Sequence, residues 1–246
     1  MTSKMDAKKL KKGIASEKQG DWESAMAVYR KLAETGNAEA QWRLGVMLLD
    51  QQNDHPDNKE ALAWLKKASA QGHVIAINDV GGMYYRGHGV RRDYTKALGY
   101  FRRAADLGLS TAQHNVGIIY NDGLGIKKDR AQAIRWYGLA AKQGHPAALC
   151  ELGLGYANRP KIKRNQLKAR RLLSRAADKG HGYAQYALAC FYEKGIGGAR
   201  NHKMALRWLR KAAKNGVEKA ANYLGTLAFQ GKAEPQDDQW KYAEGD

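Results

Sequence analysis

Glycines at positions 36, 72, 108, 144, 180 and 216 of this 246-residue chain stand 36 residues apart, and an alanine follows each of them four residues later. Those alanines are Ala40, Ala76, Ala112, Ala148, Ala184 and Ala220, and a second series, Ala25, Ala61, Ala97, Ala133, Ala169 and Ala205, keeps the same step. A fixed period of this length marks an array in which each copy is one supersecondary unit that buries its apolar face only against its neighbours. The architecture expected is therefore a stack of like units.

Within each unit the spacing is helical. Four residues before each alanine of the second series stands Asp21, Asp57, Asp93, Asp129, Asn165 or Asn201. Each is a side chain that can accept from the free N–H groups of a first helical turn, so all six are expected as N-caps. The first alanine series opens a helix, A, whose apolar stripe runs on through Leu44, Val80, Val116, Leu152, Leu188 and Leu224 to Met47, Met83, Ile119 and Phe191. Between these lies Gly45, Gly81, Gly117, Gly153, Ala189 or Gly225. Glycine inside a helix costs about 1 kcal/mol against alanine, so its recurrence predicts close approach of the second helix, B. Helix B carries the second alanine and a large residue three later (Trp64, Tyr100, Trp136, Leu172, Trp208), which reads as core before it reads as a ligand cage. The glycines after helix B suit left-handed C-terminal caps. About thirteen helices and little or no sheet are expected.

The stretch NDGLGIKKDRAQAIRWYGLAAKQG, residues 121–144, raises a competing possibility, a glycine loop cradling phosphate. Such a loop follows a strand and leads directly into a helix N-terminus. Here it follows a helical pattern, and its glycine, basic, cap and alanine positions recur 36 residues earlier and 72 later, so it reads as repeat structure.

Composition then narrows the function classes. No run of about 18 apolar residues occurs that could span a bilayer, and residues 1–25 lack the apolar centre of a secretory signal, so the default location is cytoplasmic. Two cysteines, Cys150 and Cys190, are too few for a disulfide framework and suit a reducing compartment. The net charge of +18 is uneven: residues 86–214 hold 27 Lys plus Arg against 7 Asp plus Glu, or +20, which leaves 15 against 17, or −2, for the rest.

AQHNVGIIYNDGLGIKKDRAQAIRWYGLAAKQG, residues 112–144, closely resembles the Sel-one-like repeat, a 36-residue branch of the tetratricopeptide superfamily. The resemblance covers roughly residues 36–231 and about ten positions in phase. Residues 1–35 look like an ordinary tetratricopeptide helix pair, because Gly13 precedes Ala25 by 12 residues where later units have 16. Residues 36–231 form the array with a C-terminal capping helix, and 232–246 an acidic, partly disordered tail. The stretches QQNDHPDNKEA and ANRPKIKRNQLKA lack the Gly-x-Gly and are expected to differ in loop shape. What the resemblance implies is an all-α solenoid of antiparallel helix pairs on a right-handed superhelical path, serving as a non-enzymatic scaffold or adaptor, bacterial and monomeric, for a protein or peptide partner.

Two surfaces are candidates for that partner. In tetratricopeptide units a second stripe of helix A lines the concave groove, and the matching positions here carry Trp42, Asn78, Tyr85, His114, Asn115, Asn121, Tyr186 and Asn222. Amides and aromatics without one dominant charge suit a peptide backbone held by a few anchors; the plainer alternative is an ordinary half-exposed helix face. The second surface is an edge of basic pairs, Arg91 and Arg92, Lys127 and Lys128, Lys163 and Arg164, set just before the helix-B caps. Such a row attracts an acidic protein or, without sequence preference, nucleic acid; otherwise it is a solvated face. No cofactor or metal is expected. His73, His145 and His181 each follow the unit glycine and read as repeat structure rather than ligands, Cys150 as a passive thiol, and no nucleophile–base set emerges.

Overall fold

A computed structural model describes residues 4–49, 57–157 and 163–230, with the side chains of Lys163 and Arg164 outside that description. Much of the two loops lacking Gly-x-Gly, and residues 232–246, therefore lie outside the described residues. The described residues form thirteen α-helices and no strand: α1 (Lys4–Lys18), α2 (Trp22–Glu34), α3 (Ala38–Leu49), α4 (Asn58–Ala70), α5 (Val74–Arg86), α6 (Tyr94–Asp106), α7 (Ser110–Asp122), α8 (Arg130–Lys142), α9 (Pro146–Ala157), α10 (Lys163–Asp178), α11 (Gly182–Lys194), α12 (His202–Lys214) and α13 (Glu218–Phe229). The chain divides into two compact units, Met1–Ala140 and Ala141–Asp246.

In the first unit α1 packs on α2, α3 on α4 and α5 on α6, and successive pairs join through α2–α3, α4–α5 and α6–α7. The second repeats the scheme with α9 on α10, α11 on α12, and the junctions α10–α11 and α12–α13. Both alanine series are buried, nearly all at zero exposure, which lets helix axes approach closely. Opposite Gly45, Gly81, Gly117 and Gly153 on the A helices lies one large residue of helix B. A Cβ added at Gly45 would come within 2.7 Å of Leu65, at Gly81 within 2.8 Å of Phe101, at Gly153 within 3.1 Å of Leu173, and at Gly117 it would overlap the Tyr137 ring. Leu172 and Trp208 are buried as the sequence pattern suggests, but in the other three units the large core residue of helix B is one position later. Leu65, Phe101, Tyr137, Leu173 and Leu209 are almost fully buried, whereas Trp64, Tyr100 and Trp136 are only half-buried. Adjacent large apolar residues both look like core in sequence, and the glycine opposite selects the second.

The ends of the helices use the residues expected, with one correction. Asp21, Asp57, Asp93, Asp129 and Asn201 accept hydrogen bonds from backbone N–H groups two or three residues on. Asn165 does not cap its helix, because α10 already begins at Lys163 and Asn165 falls inside its first turn. Gly36, Gly72, Gly108, Gly144, Gly180 and Gly216 have φ between 76° and 92°, the left-handed conformation that ends helix B. The histidines after them are caps: Nδ1 of His73, His145 and His181 accepts from the N–H of Ala76, Ala148 and Ala184. Three buried glutamines, Gln41, Gln113 and Gln185, pin the same turns by donating to the carbonyls of Ala33, Ala105 and Ala177.

The Gly-x-Gly loops are structural too. Gly87, Gly123 and Gly195 are left-handed C-caps whose N–H groups donate to Met83, Ile119 and Phe191. Gly89 and Gly197 lie so close to the carbonyls of Asn58 and Gln166, in the preceding helix B, that no Cβ would fit.

Candidate functional site

The helix-A faces of the first unit carry a polar ladder that crosses three helices. The Trp42 Nε1–H on α3 donates to Asp79 Oδ2 on α5 (2.8 Å), Asn78 Nδ2–H donates to Asp79 Oδ1 (3.2 Å), and Asn115 Nδ2–H on α7 donates to Asn78 Oδ1 (3.0 Å). Both interhelical rungs join residues 37 apart, because the repeat sets consecutive A helices side by side one residue out of register. In the second unit the matching pair Cys150 and Ala187 is buried and has no such rung to make. Burial pushes the Asp79 carboxyl above its usual range, opposed by the donors on Trp42 and Asn78. Trp42 also stacks on His73, with ring centres 5.1 Å apart and planes at 23°. His73 accepts at Nδ1, so its Nε2 carries the proton toward Glu39 Oε2 at 3.0 Å.

Beside the ladder opens a cleft of about 490 Å³ between α3, α5 and α7. Its floor is Gly82, Met83 and Phe101, its apolar walls are Val46, Leu49 and Ile118, its polar wall is Asn78, Asp79 and Asn115, and Tyr85 and Arg86 stand at its mouth. A Cβ at Gly82 would meet only the Arg86 guanidinium, at 3.1 Å. Val46 on α3 and Ile118 on α7 occupy the equivalent positions, so the cleft exists where the middle helix lacks the side chain that its neighbours carry.

The groove residues read from sequence are distributed unevenly around this feature. Asn78, Tyr85 and Asn115 line the cleft, and Trp42 joins it through the ladder. Asn78 is 9% exposed, so it serves the interior as much as the surface. Tyr85 is half-buried, edge-on to Tyr94 at 5.3 Å and tilted against Phe101 at 6.4 Å, and burial raises its hydroxyl pKa. His114 is half-buried against Tyr137, and Asn121 donates to Asp122 at 2.8 Å; neither lines the cleft. Tyr186 and Asn222 belong to the second unit, where Tyr186 tilts against Tyr183 and Asn222 is exposed. Cys150 is buried and its thiol is pushed up to about 12 by burial. Sequence reasoning missed Gly82 and Arg86; the signal for Gly82 was a glycine at a position filled in neighbouring units by Val46, Ile118 and Leu154.

Arg91, Arg92, Lys127 and Lys128 are exposed in the α5–α6 and α7–α8 loops, and the Arg92 guanidinium lies 5.3 Å over the Tyr94 ring. Lys163 and Arg164 do not share that loop setting, since they open α10, and their side chains lie outside the described residues. Among the described residues no group of three or more His, Cys, Asp or Glu could hold a metal ion, and no helix is long and apolar enough to cross a membrane.

Thirteen helices whose glycines, caps and core alanines return every 36 residues define an all-α helical-repeat protein of the solenoid type. More narrowly, the chain belongs to the Sel1 repeat family, whose model matches residues 38–73, 74–109, 110–145, 146–181 and 182–217. A solved Sel1 repeat protein from Oxalobacter formigenes is 31% identical and superposes with a TM-score of 0.85, covering 94% of each chain. A protective antigen of uropathogenic Escherichia coli with the same repeat fold is 32% identical with a TM-score of 0.75, covering 84% of this chain and 44% of that one. An F-box protein of Arabidopsis thaliana is 38% identical over 64 residues, which amounts to 26% of this chain and 18% of that protein. Sel1 repeats are in general non-catalytic scaffolds for protein–protein interaction.

Proposed function

We propose that the chain is a non-enzymatic adaptor that holds a segment of a partner protein in the cleft between α3, α5 and α7. The observation that carries this is the cleft itself: an apolar floor beside a row of amides, on helices whose other faces are consumed by packing. Apolar and aromatic walls supply contact area, and the amides supply acceptors and donors for a peptide main chain. The exposed pairs Arg91 with Arg92 and Lys127 with Lys128 act secondarily, steering acidic partners toward the same unit. A nucleic-acid role is less favoured, because the Tyr85 ring is already engaged by Tyr94 and Phe101 and offers no open platform for base stacking.

The test compares what the wild-type chain retains from extract with what is retained by a Tyr85→Ser, Asn115→Ala variant and by a variant with Arg91, Arg92, Lys127 and Lys128 changed to glutamate. A partner bound in the cleft is lost with the first variant and is only slowed by the second. Retention that survives the first variant and vanishes with the second would move the binding site to the basic edge.

A further inference from the structure

Resting on that cleft, we propose that its occupant is an acidic protein segment: one large apolar side chain enters the notch over Gly82, and flanking carboxylates meet Arg86 and Arg92. The notch has the geometry for one such side chain. Val46, 40% exposed, and Ile118 flank the place where α5 carries no side chain, and beneath it lie Met83 and Phe101, 1% and 3% exposed. An exposed apolar wall beside a buried apolar floor is a socket that gains from being filled.

The charge around the notch selects the flanks. Arg86 rests the end of its flexible side chain over Gly82, so an entering apolar side chain displaces its guanidinium toward the flanks, and it forms no ion pair among the described residues. The nearby Asp79 serves an incoming cation poorly, because its carboxyl is largely buried and Arg86 already acts on its charge. From the mouth the positive side continues outward: Tyr85 touches Tyr94, and Arg92 lies over the Tyr94 ring. Asp122, which accepts from Asn121, is the carboxylate on this side that acts on Tyr85. A basic segment would bring its charges against Arg86 and Arg92, whereas an acidic one is attracted over several ångströms and discriminated at contact. Asn115 donates to Asn78 through its amide nitrogen, which leaves its side-chain oxygen as an acceptor for a main-chain N–H of the segment.

The experiment is a selection of random peptides displayed on phage against the full chain, followed by fluorescence-polarisation affinities of the synthetic winners. Winners are expected to carry Leu, Phe or Trp beside Asp or Glu. Gly82→Leu fills the notch and should weaken them by about tenfold or more, with Gly82→Ala intermediate. Arg86→Glu should weaken them by about tenfold and flatten the salt dependence. Replacing the acidic residues of a winner by lysine should abolish binding. Gly82→Leu should keep the wild-type helical signal, since only a flexible guanidinium end stands in its way; should it misfold, Gly82→Ala carries the comparison. Neutral or basic winners that still depend on Tyr85 and Asn115 would overturn the acidic occupant and leave the cleft reading intact. Winners indifferent to Gly82, Tyr85 and Asn115, or no winners at all, would overturn both.

Discussion

Replacing Gly117 and Gly82 by alanine, one at a time, separates two roles that glycine plays in this fold. Both lie in helix interiors, so the substitution favours the helix by roughly 1 kcal/mol at either site. What differs is the space. At Gly117 the new methyl would sit 2.5 Å from Tyr137 Cδ1 and 3.1 Å from its Cζ, and Tyr137 is only 4% exposed, so its ring has nowhere to swing. Overpacking of this kind costs about 1–3 kcal/mol, so Gly117→Ala should come out destabilised by up to about 2 kcal/mol. At Gly82 the methyl meets only the end of Arg86 at 3.1 Å, so propensity wins and the variant gains up to about 1 kcal/mol. Urea midpoints followed by circular dichroism give the ordering Gly82→Ala above wild type above Gly117→Ala. Because repeat arrays can unfold in steps, native-state hydrogen exchange in α7 should show the Gly117 effect locally. Adding Tyr137→Leu, which imitates the Leu65 and Leu173 partners of Gly45 and Gly153, should recover part of the loss non-additively. A Gly117→Ala protein as stable as wild type would refute the packing argument.

Asn201→Ala removes the acceptor for the Met204 N–H and should cost about 1 kcal/mol, whereas Asn165→Ala, inside α10, should cost a few tenths at most; paired denaturation curves check this. Burial holds the His145 and His181 imidazoles below their ordinary 6.5, with the His181 charge adding to the effect at His145, and the neutral ring is the form that caps α9 and α11. Their contribution is complete above 6.5 and declines as pH falls through it, because the unfolded chain takes up protons that the folded chain resists. Midpoints from about pH 7.5 to about pH 5 should therefore fall, and His181→Asn, which keeps a capping acceptor without titrating, should reduce the slope. Cys150, buried and pushed up to about 12, should resist alkylation in the native protein at about pH 8 and react on unfolding. Mass spectrometry of labelled peptides reads this directly.

The parts of the fold that repeat were legible in sequence, since each position is stated several times over. The alanine series, the left-handed glycines and five of the six acceptor caps emerge from the 36-residue step alone. In three units the helix-B core residue was misplaced by one, because Trp64 and Leu65, Tyr100 and Phe101, and Trp136 and Tyr137 are adjacent large side chains, whereas Leu172 and Trp208 are buried as read. Only the glycine on the facing helix shows which of each pair points inward. Asn165 failed as a cap because the start of α10 is set upstream of it, outside the shared pattern. The cleft was hardest to see, being made by departures from the repeat. Gly82 in place of a branched residue, and Asp79 joined to Trp42 across a 37-residue step, occur once each and leave no periodic signal. The buried glutamines at 41, 113 and 185 did leave one, at 72-residue spacing, but a polar side chain draws no attention in a search for apolar stripes.

Binding of a protein segment along the A helices of the first unit is open to a direct test. Hydrogen–deuterium exchange of the chain, alone and saturated with a selected peptide, tests it without any substitution. Binding in the cleft predicts slowed exchange in α3, α5 and α7 and in the Tyr85–Gly87 turn, with α4 and α6 unchanged on their outer faces. Protection confined to α4 and α6, to the basic loops, or to the helices of the second unit would contradict it.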